Sequence, residues 1–97
     1  MSIQLEPRHL AEVKRLLATH APEARVWCFG SRAKGKAKRF SDLDLVLEMD
    51  GGVPTKTLLG LYAAFSDGDL PIKVDVLDWA GLDPEFREII ASHRVPL

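Results

Sequence analysis

Residues 25–48 read RVWCFGSRAKGKAKRFSDLDLVLE, and three different textures meet within them. Arg25–Phe29 is rich in β-formers and stops at Gly30, the pattern of a short, largely buried strand. Residues 31–41 carry two Ala, one Gly and five bases. That is room for a short helix starting near Ser31 and then a turn, but not for a core element. Residues 42–48 alternate, with Leu43, Leu45 and Leu47 on one face and Asp42, Asp44, Val46 and Glu48 on the other. Side chains of a strand point to opposite sides in turn, so this is the clearest strand of the chain.

Working outward, Leu10, Val13, Leu16 and Leu17 fall at helical spacing between Pro7 and about His20, with proline near the first turn and Ala21-Pro22 at the end. Downstream, Asp50-Gly51-Gly52 is a turn, and Leu58, Leu61, Tyr62 and Phe65 mark a second major helix that stops at Asp67-Gly68. Residues 72–78 predict a third strand, with Lys73, Asp75 and Leu77 opposite Ile72, Val74 and Val76. Asp83 as N-cap and Pro84 open a last helix, whose buried stripe is Phe86, Ile89 and Ile90. The order is αβαβαβα, an α+β layout in which helices cover a sheet. The sense in which the strands pair is not readable from this pattern.

Length and composition narrow the function classes. A chain of 97 residues is read as a single domain spanning 1–97, which excludes a large multi-domain enzyme. Its one cysteine, Cys28, builds neither an internal disulfide nor a zinc ribbon, and its strand neighbours make it a small buried hydrophobe. No apolar run approaches the roughly 18 residues that span a bilayer, and MSIQLEPRHL lacks the basic-then-apolar pattern of a signal peptide. A soluble cytoplasmic protein is the expectation. The formal charge of −1 conceals a split: residues 1–40 hold nine bases and three acids, +6, and residues 41–97 hold four bases and eleven acids, −7. Such asymmetry fits a basic arm for nucleic acid or a self-neutralising fold equally well.

The chemistry-bearing residues lie in the opening stretch. GSRAKGKA at 30–37 follows a strand but fails as a P-loop, because Ala37 has no hydroxyl for Mg²⁺ and the chain runs into another strand instead of a long helix. Gly30-Ser31 at a strand end can still bring backbone N–H groups and a hydroxyl close to a phosphate, or be a plain turn. Asp42 and Asp44, two residues apart on a strand, put two carboxylates on one face with Cα atoms roughly 6 to 7 Å apart. They repel unless a cation lies between them, and a divalent metal pair is the natural compensator. A solvated polar face with Lys36 or Lys38 nearby is the alternative. Asp75, inside a β-rich segment, needs a partner too. It either completes a three-carboxylate cluster beside Asp42 and Asp44 or pairs with Lys73 on its own face, while Asp78 falls on the opposite face. His9, His20 and His93 show no ligand spacing and read as surface or boundary residues.

Taken together, Gly30-Ser31, ten residues, Asp42-x-Asp44 and a later strand-borne Asp75 resemble the signature of the minimal nucleotidyltransferases of the DNA polymerase β-like superfamily. The resemblance covers nearly the whole chain. It implies the nucleotidyltransferase fold, a small mixed sheet of three strands or slightly more with helical cover. It also implies a Mg²⁺-dependent transfer of AMP from ATP to a hydroxyl. On that resemblance Gly30, Ser31 and Arg32 bind the nucleotide, with Lys34 as a further cation, and Asp42, Asp44 and Asp75 are the catalytic residues and ligate two Mg²⁺ ions. Small stand-alone members are paired with a HEPN-domain toxin as its antitoxin, and the family's acceptor is a tyrosine of that toxin. Two other functions remain open at this point: a binding antitoxin that occludes its partner without catalysis, and a nucleic-acid module using the basic loop 32–39.

Overall fold

Leu43, Leu45 and Leu47 have no exposed surface, and the rest of the molecule is arranged around them. The computed structural model describes residues 3–97. Its elements are helix α1 (Pro7–His20), strand β1 (Arg25–Phe29), one-turn helix α2 (Ser31–Lys34), strand β2 (Leu43–Glu48), helix α3 (Thr55–Asp67), strand β3 (Val74–Asp78), a 3₁₀ turn (Trp79–Gly81), helix α4 (Pro84–Ala91) and strand β4 (Val95–Pro96). The sheet order is β3-β2-β1-β4. β1 runs antiparallel to both β2 and β4, and β2 runs parallel to β3. A parallel neighbour needs a crossover connection, and α3 supplies it.

The alternation of β2 decides which helix covers which face. On the back, the three leucines and Cys28, Val74 and Val76 pack with Val13, Leu16 and Leu17 of α1 and Leu61 and Phe65 of α3. On the front, Phe29 and Val46 meet Ile90 of α4, with Trp27, Leu77, Trp79 and Phe86 around them. Phe29 and Phe86 meet edge to face, 6.2 Å between ring centres, a favoured aromatic geometry. The front cluster is small, and α4 is eight residues long.

Caps and stitches follow the expected chemistry. Asp83 Oδ1 accepts from Phe86 N at 2.8 Å, capping α4. Asp78 acts as a second cap: Oδ1 accepts from Ala80 N and Oδ2 from Val53 N, tying the end of β3 to the chain entering α3. Tyr62 of α3 donates its hydroxyl to Val76 O at 2.8 Å, covering part of the free edge of β3.

The structure extends the sheet beyond three strands. Val95 and Pro96 pair with Cys28 and Trp27, and Leu97 N donates to Val26 O at 3.1 Å. Proline is compatible with this position because β4 is an edge. Strand β3 begins at Val74, after Pro71, so Ile72 contributes to the back core from the preceding loop. Among the described residues no helix is long and apolar enough to cross a membrane.

Candidate active site

Strand pairing brings the acidic residues together on the front face. Asp44 is the register partner of Asp75 on β3 and of Phe29 on β1. Asp42 lies one step before β2, exposed, two residues from Asp44. Half-buried Asp44 titrates above the ordinary aspartate range: burial is the largest cause, the negative charges of Asp75 and Asp42 follow, and Lys73 offsets part of the effect. Asp75 also has the local partner considered above, with Lys73 Nζ 3.3 Å from its Oδ1. That contact, with the charge of Asp75 and then Asp42, holds the Lys73 ammonium above its usual pKa. The Asp44–Asp75 register pair and the Lys73 ion pair therefore coexist.

Among the described residues no three His, Cys, Asp or Glu side chains close into a finished ligand cage. The donor set nevertheless suits a hard divalent cation: carboxylate oxygens only, on one sheet face, around a carboxylate whose charge its neighbours disfavour.

The turn after β1 is built against this cluster. Gly30 has φ 75° and ψ −156°, a conformation that in practice only glycine adopts. A Cβ there would collide with Asp44 Oδ2. The glycine is thus required twice, by its backbone angles and by the carboxylate lying against it. Gly30 O accepts from Ala33 N and Lys34 N, both at 3.1 Å, which starts α2 and places half-buried Ser31 at its first position. The amide of Gly30 itself goes to His93 Nε2 at 2.9 Å. Sequence reading gave His93 only a boundary role; no local pattern signals a contact made across 63 residues.

Arg32 faces inward. It is 6% exposed, and its guanidinium donates to Ser41 O through Nε and Nη2, to Gln4 O through Nη1 at 2.6 Å and to Arg39 O through Nη2. The expectation that it grips a nucleotide needs correction, because these carbonyls already engage its planar fork, and it holds the loop instead. Gln4 completes the clamp: its side-chain amide exchanges two hydrogen bonds with the backbone of Ala37, and its N–H donates to Arg32 O. Gln4 was not singled out in the sequence, where an isolated glutamine carries no signal.

Lys34, Lys36, Lys38 and Arg39 are exposed on this held loop, and Arg39 lies over the ring of Phe40, itself 70% exposed. A broad surface cleft of about 1140 Å³ lies beside the loop, lined by Glu6, Arg8, Glu12, Arg15, Lys38 and Phe40 among others, and includes none of the three aspartates. Cys28 is buried in the back core as expected, and burial first, then the charge of Asp44, pushes its thiol pKa up to about 11. A thiol so placed is no nucleophile at neutral pH. His9 lies 3.6 Å from Glu6 on α1, and His20 is exposed at that helix's end.

Comparison with known proteins agrees with this architecture. Residues 8–97 match the nucleotidyltransferase domain family. The chain is 46% identical over 93 residues to a Haemophilus influenzae protein named "Probable protein adenylyltransferase MntA", spanning 96% of this chain and 82% of that one. A solved minimal nucleotidyltransferase is 34% identical with a TM-score of 0.73, covering 93% of each chain. A crystallised toxin–antitoxin with AMP-PNP contains a chain that is 18% identical with a TM-score of 0.74, over 89% of this chain and 69% of that one, a likeness of fold. With a family match that begins in the first turn of α1 and takes in every strand of the sheet, this chain belongs to the nucleotidyltransferase domain family and is a transferase.

Proposed function

We propose that the protein is an adenylyltransferase that moves AMP from ATP onto a hydroxyl, a tyrosine of a partner HEPN toxin, releasing pyrophosphate and so acting as that toxin's antitoxin. The observation that carries this reading is the packing of the Gly30 turn directly on Asp44, itself in register with Asp75: a glycine turn and a carboxylate pair share one wall. The 46% identical relative named as an adenylyltransferase and the AMP-PNP bound in a toxin–antitoxin of the same fold support the choice of ATP and of a protein acceptor.

In this reading Gly30 and Ser31 bind the β- and γ-phosphates, the glycine by permitting close approach and the serine through its hydroxyl and amide. Asp42, Asp44 and Asp75 would hold two Mg²⁺ ions, whose chemistry is to neutralise charge that develops on the leaving pyrophosphate. Asp75 takes the proton of the acceptor hydroxyl, directly or through water, and the Lys73 ammonium beside it orients that carboxylate. Arg32 keeps residues 39–41 in place, and with them the approach of Asp42 to the strand that carries Asp44. Residues 1–97 act as one minimal catalytic domain, and the acceptor comes from the partner.

The test is AMP labelling of the purified partner by this chain with ATP, with and without Mg²⁺. A mass gain of one AMP on a partner tyrosine is expected, falling by about 100-fold or more in Asp42→Asn with Asp44→Asn. If the double variant still neutralises the partner in cells as wild type does, and no AMP ever appears on the partner, neutralisation is by binding alone and the enzymatic account fails.

A further inference from the structure

The Gly30–His93 hydrogen bond joins the phosphate-side turn to the last part of the chain. An imidazole nitrogen accepts an N–H only when it carries no proton, so Nε2 is bare and the ring proton is on Nδ1. Nδ1 lies 3.4 Å from Ser92 Oγ. The His93 pKa is lowered, chiefly by burial and then by the Lys34 ammonium, which favours the neutral ring.

The support under that ring is rigid. His93 N and Arg94 N both donate to Ile90 O, at 3.1 and 2.9 Å, and the Ile90 side chain is fully buried in the front core. The Arg94 guanidinium lies over the rings of Trp27 and Trp79, 4.1 and 4.7 Å from their centres. One residue later Val95 pairs with Cys28. His93 is thus fixed by α4 on one side and by the sheet on the other.

Gly30 has the opposite character. Without a side chain it has no packing of its own to hold φ at 75°, and glycine moves between backbone regions that other residues cannot reach. The geometry points to His93 as a positioning residue for the nucleotide site: by accepting the Gly30 amide, it locks the peptide plane between Phe29 and Gly30, keeping the glycine against Asp44 and Ser31 turned to the phosphates. Gly30's own N–H is therefore committed to the imidazole and is not a phosphate ligand. This inference rests on the nucleotide role proposed for Gly30 and Ser31, and it assigns the closing segment a part in the reaction.

Two measurements on the full chain separate the inference from that reading. The first is amide hydrogen exchange at Gly30 by NMR, without nucleotide; the second is the affinity for Mg²⁺ with AMP-PNP. In His93→Ala, Gly30 exchange accelerates by about tenfold and affinity falls about five- to tenfold. In His93→Gln, whose carbonyl oxygen replaces Nε2 as acceptor, both return most of the way to wild type at a melting temperature close to that of His93→Ala. Unchanged Gly30 exchange in His93→Ala overturns the inference. So does faster exchange with undiminished affinity, or equal loss in the Ala and Gln variants, which would mean simple packing. A wild-type protein that binds no AMP-PNP while Gly30 exchange still responds to His93→Ala overturns the nucleotide reading, and the positioning role with it.

Discussion

Arg32 and Asp44 stand at either end of one loop, twelve residues apart, and each takes a formal charge out of full contact with water. Arg32 is met by three backbone carbonyls and has become part of the scaffold. Asp44 is met by Asp75 and Asp42, and its charge is disfavoured by its surroundings. A buried cation ringed by carbonyl dipoles supports the fold, because removing it strands those acceptors. A carboxylate crowded by carboxylates opposes the fold and is relieved by a cation. The difference separates a charge that builds the loop from a charge kept for chemistry.

The comparison breaks most readily at Arg32. Arg32→Ala leaves three carbonyls short of a donor and should lower unfolding free energy by about 3 kcal/mol, read from the urea midpoint at constant slope. Arg32→Lys recovers only part, since one ammonium cannot span Gln4, Arg39 and Ser41. A surface-like change of a few tenths of a kcal/mol would remove Arg32 from the scaffold.

A smaller effect sharpens the boundary between the two regions. Gly30→Ala must either strain its backbone or displace Asp44, so a loss of about 2 kcal/mol is expected, accompanied by weakened AMP-PNP binding. If Gly30→Ala is as stable as wild type and binds equally well, the turn does not press on the carboxylate as described.

The smallest effect carries the opposite sign. Because its pKa is raised in the folded state, Asp44 adds stability below the ordinary aspartate pKa of about 3.9 and loses it as pH rises through the folded value. At pH 7 without Mg²⁺ the charge is a standing penalty, so Asp44→Asn should melt slightly higher than wild type, and the gap should close as pH falls toward about 4. Mg²⁺ should raise the melting temperature of wild type and leave that of Asp44→Asn nearly unchanged. A lower melting temperature for Asp44→Asn at pH 7 in EDTA would show that Asp44 supports the fold as Arg32 does.

Much of this site was legible along the chain. Alternation over residues 42–48 assigned Leu43, Leu45 and Leu47 to the core and Asp42 and Asp44 to the other face, and Gly30-Ser31 stood out at a strand end. Asp75 was identified as a carboxylate in a β-rich segment in need of a partner, with a carboxylate cluster and Lys73 both in view; the structure pairs it with Lys73 and sets it in register with Asp44. Arg32 was misjudged because composition shows a basic loop without showing which base turns inward. Strand β4 escaped notice because two residues containing a proline carry no strand pattern.

By itself the sequence determined the four helices and the first three strands, their order and the faces on which the acids and leucines lie, since side-chain period and capping are local properties. Only the tertiary structure decided that β2 and β3 run parallel with Asp44 beside Asp75, that Arg32 closes the loop through Gln4, and that His93 holds Gly30. These are contacts between segments far apart in the chain. They form because burying both faces of β2 draws α1, α3 and α4 onto the sheet together, and the total apolar area buried, not any local preference, fixes which distant groups then meet.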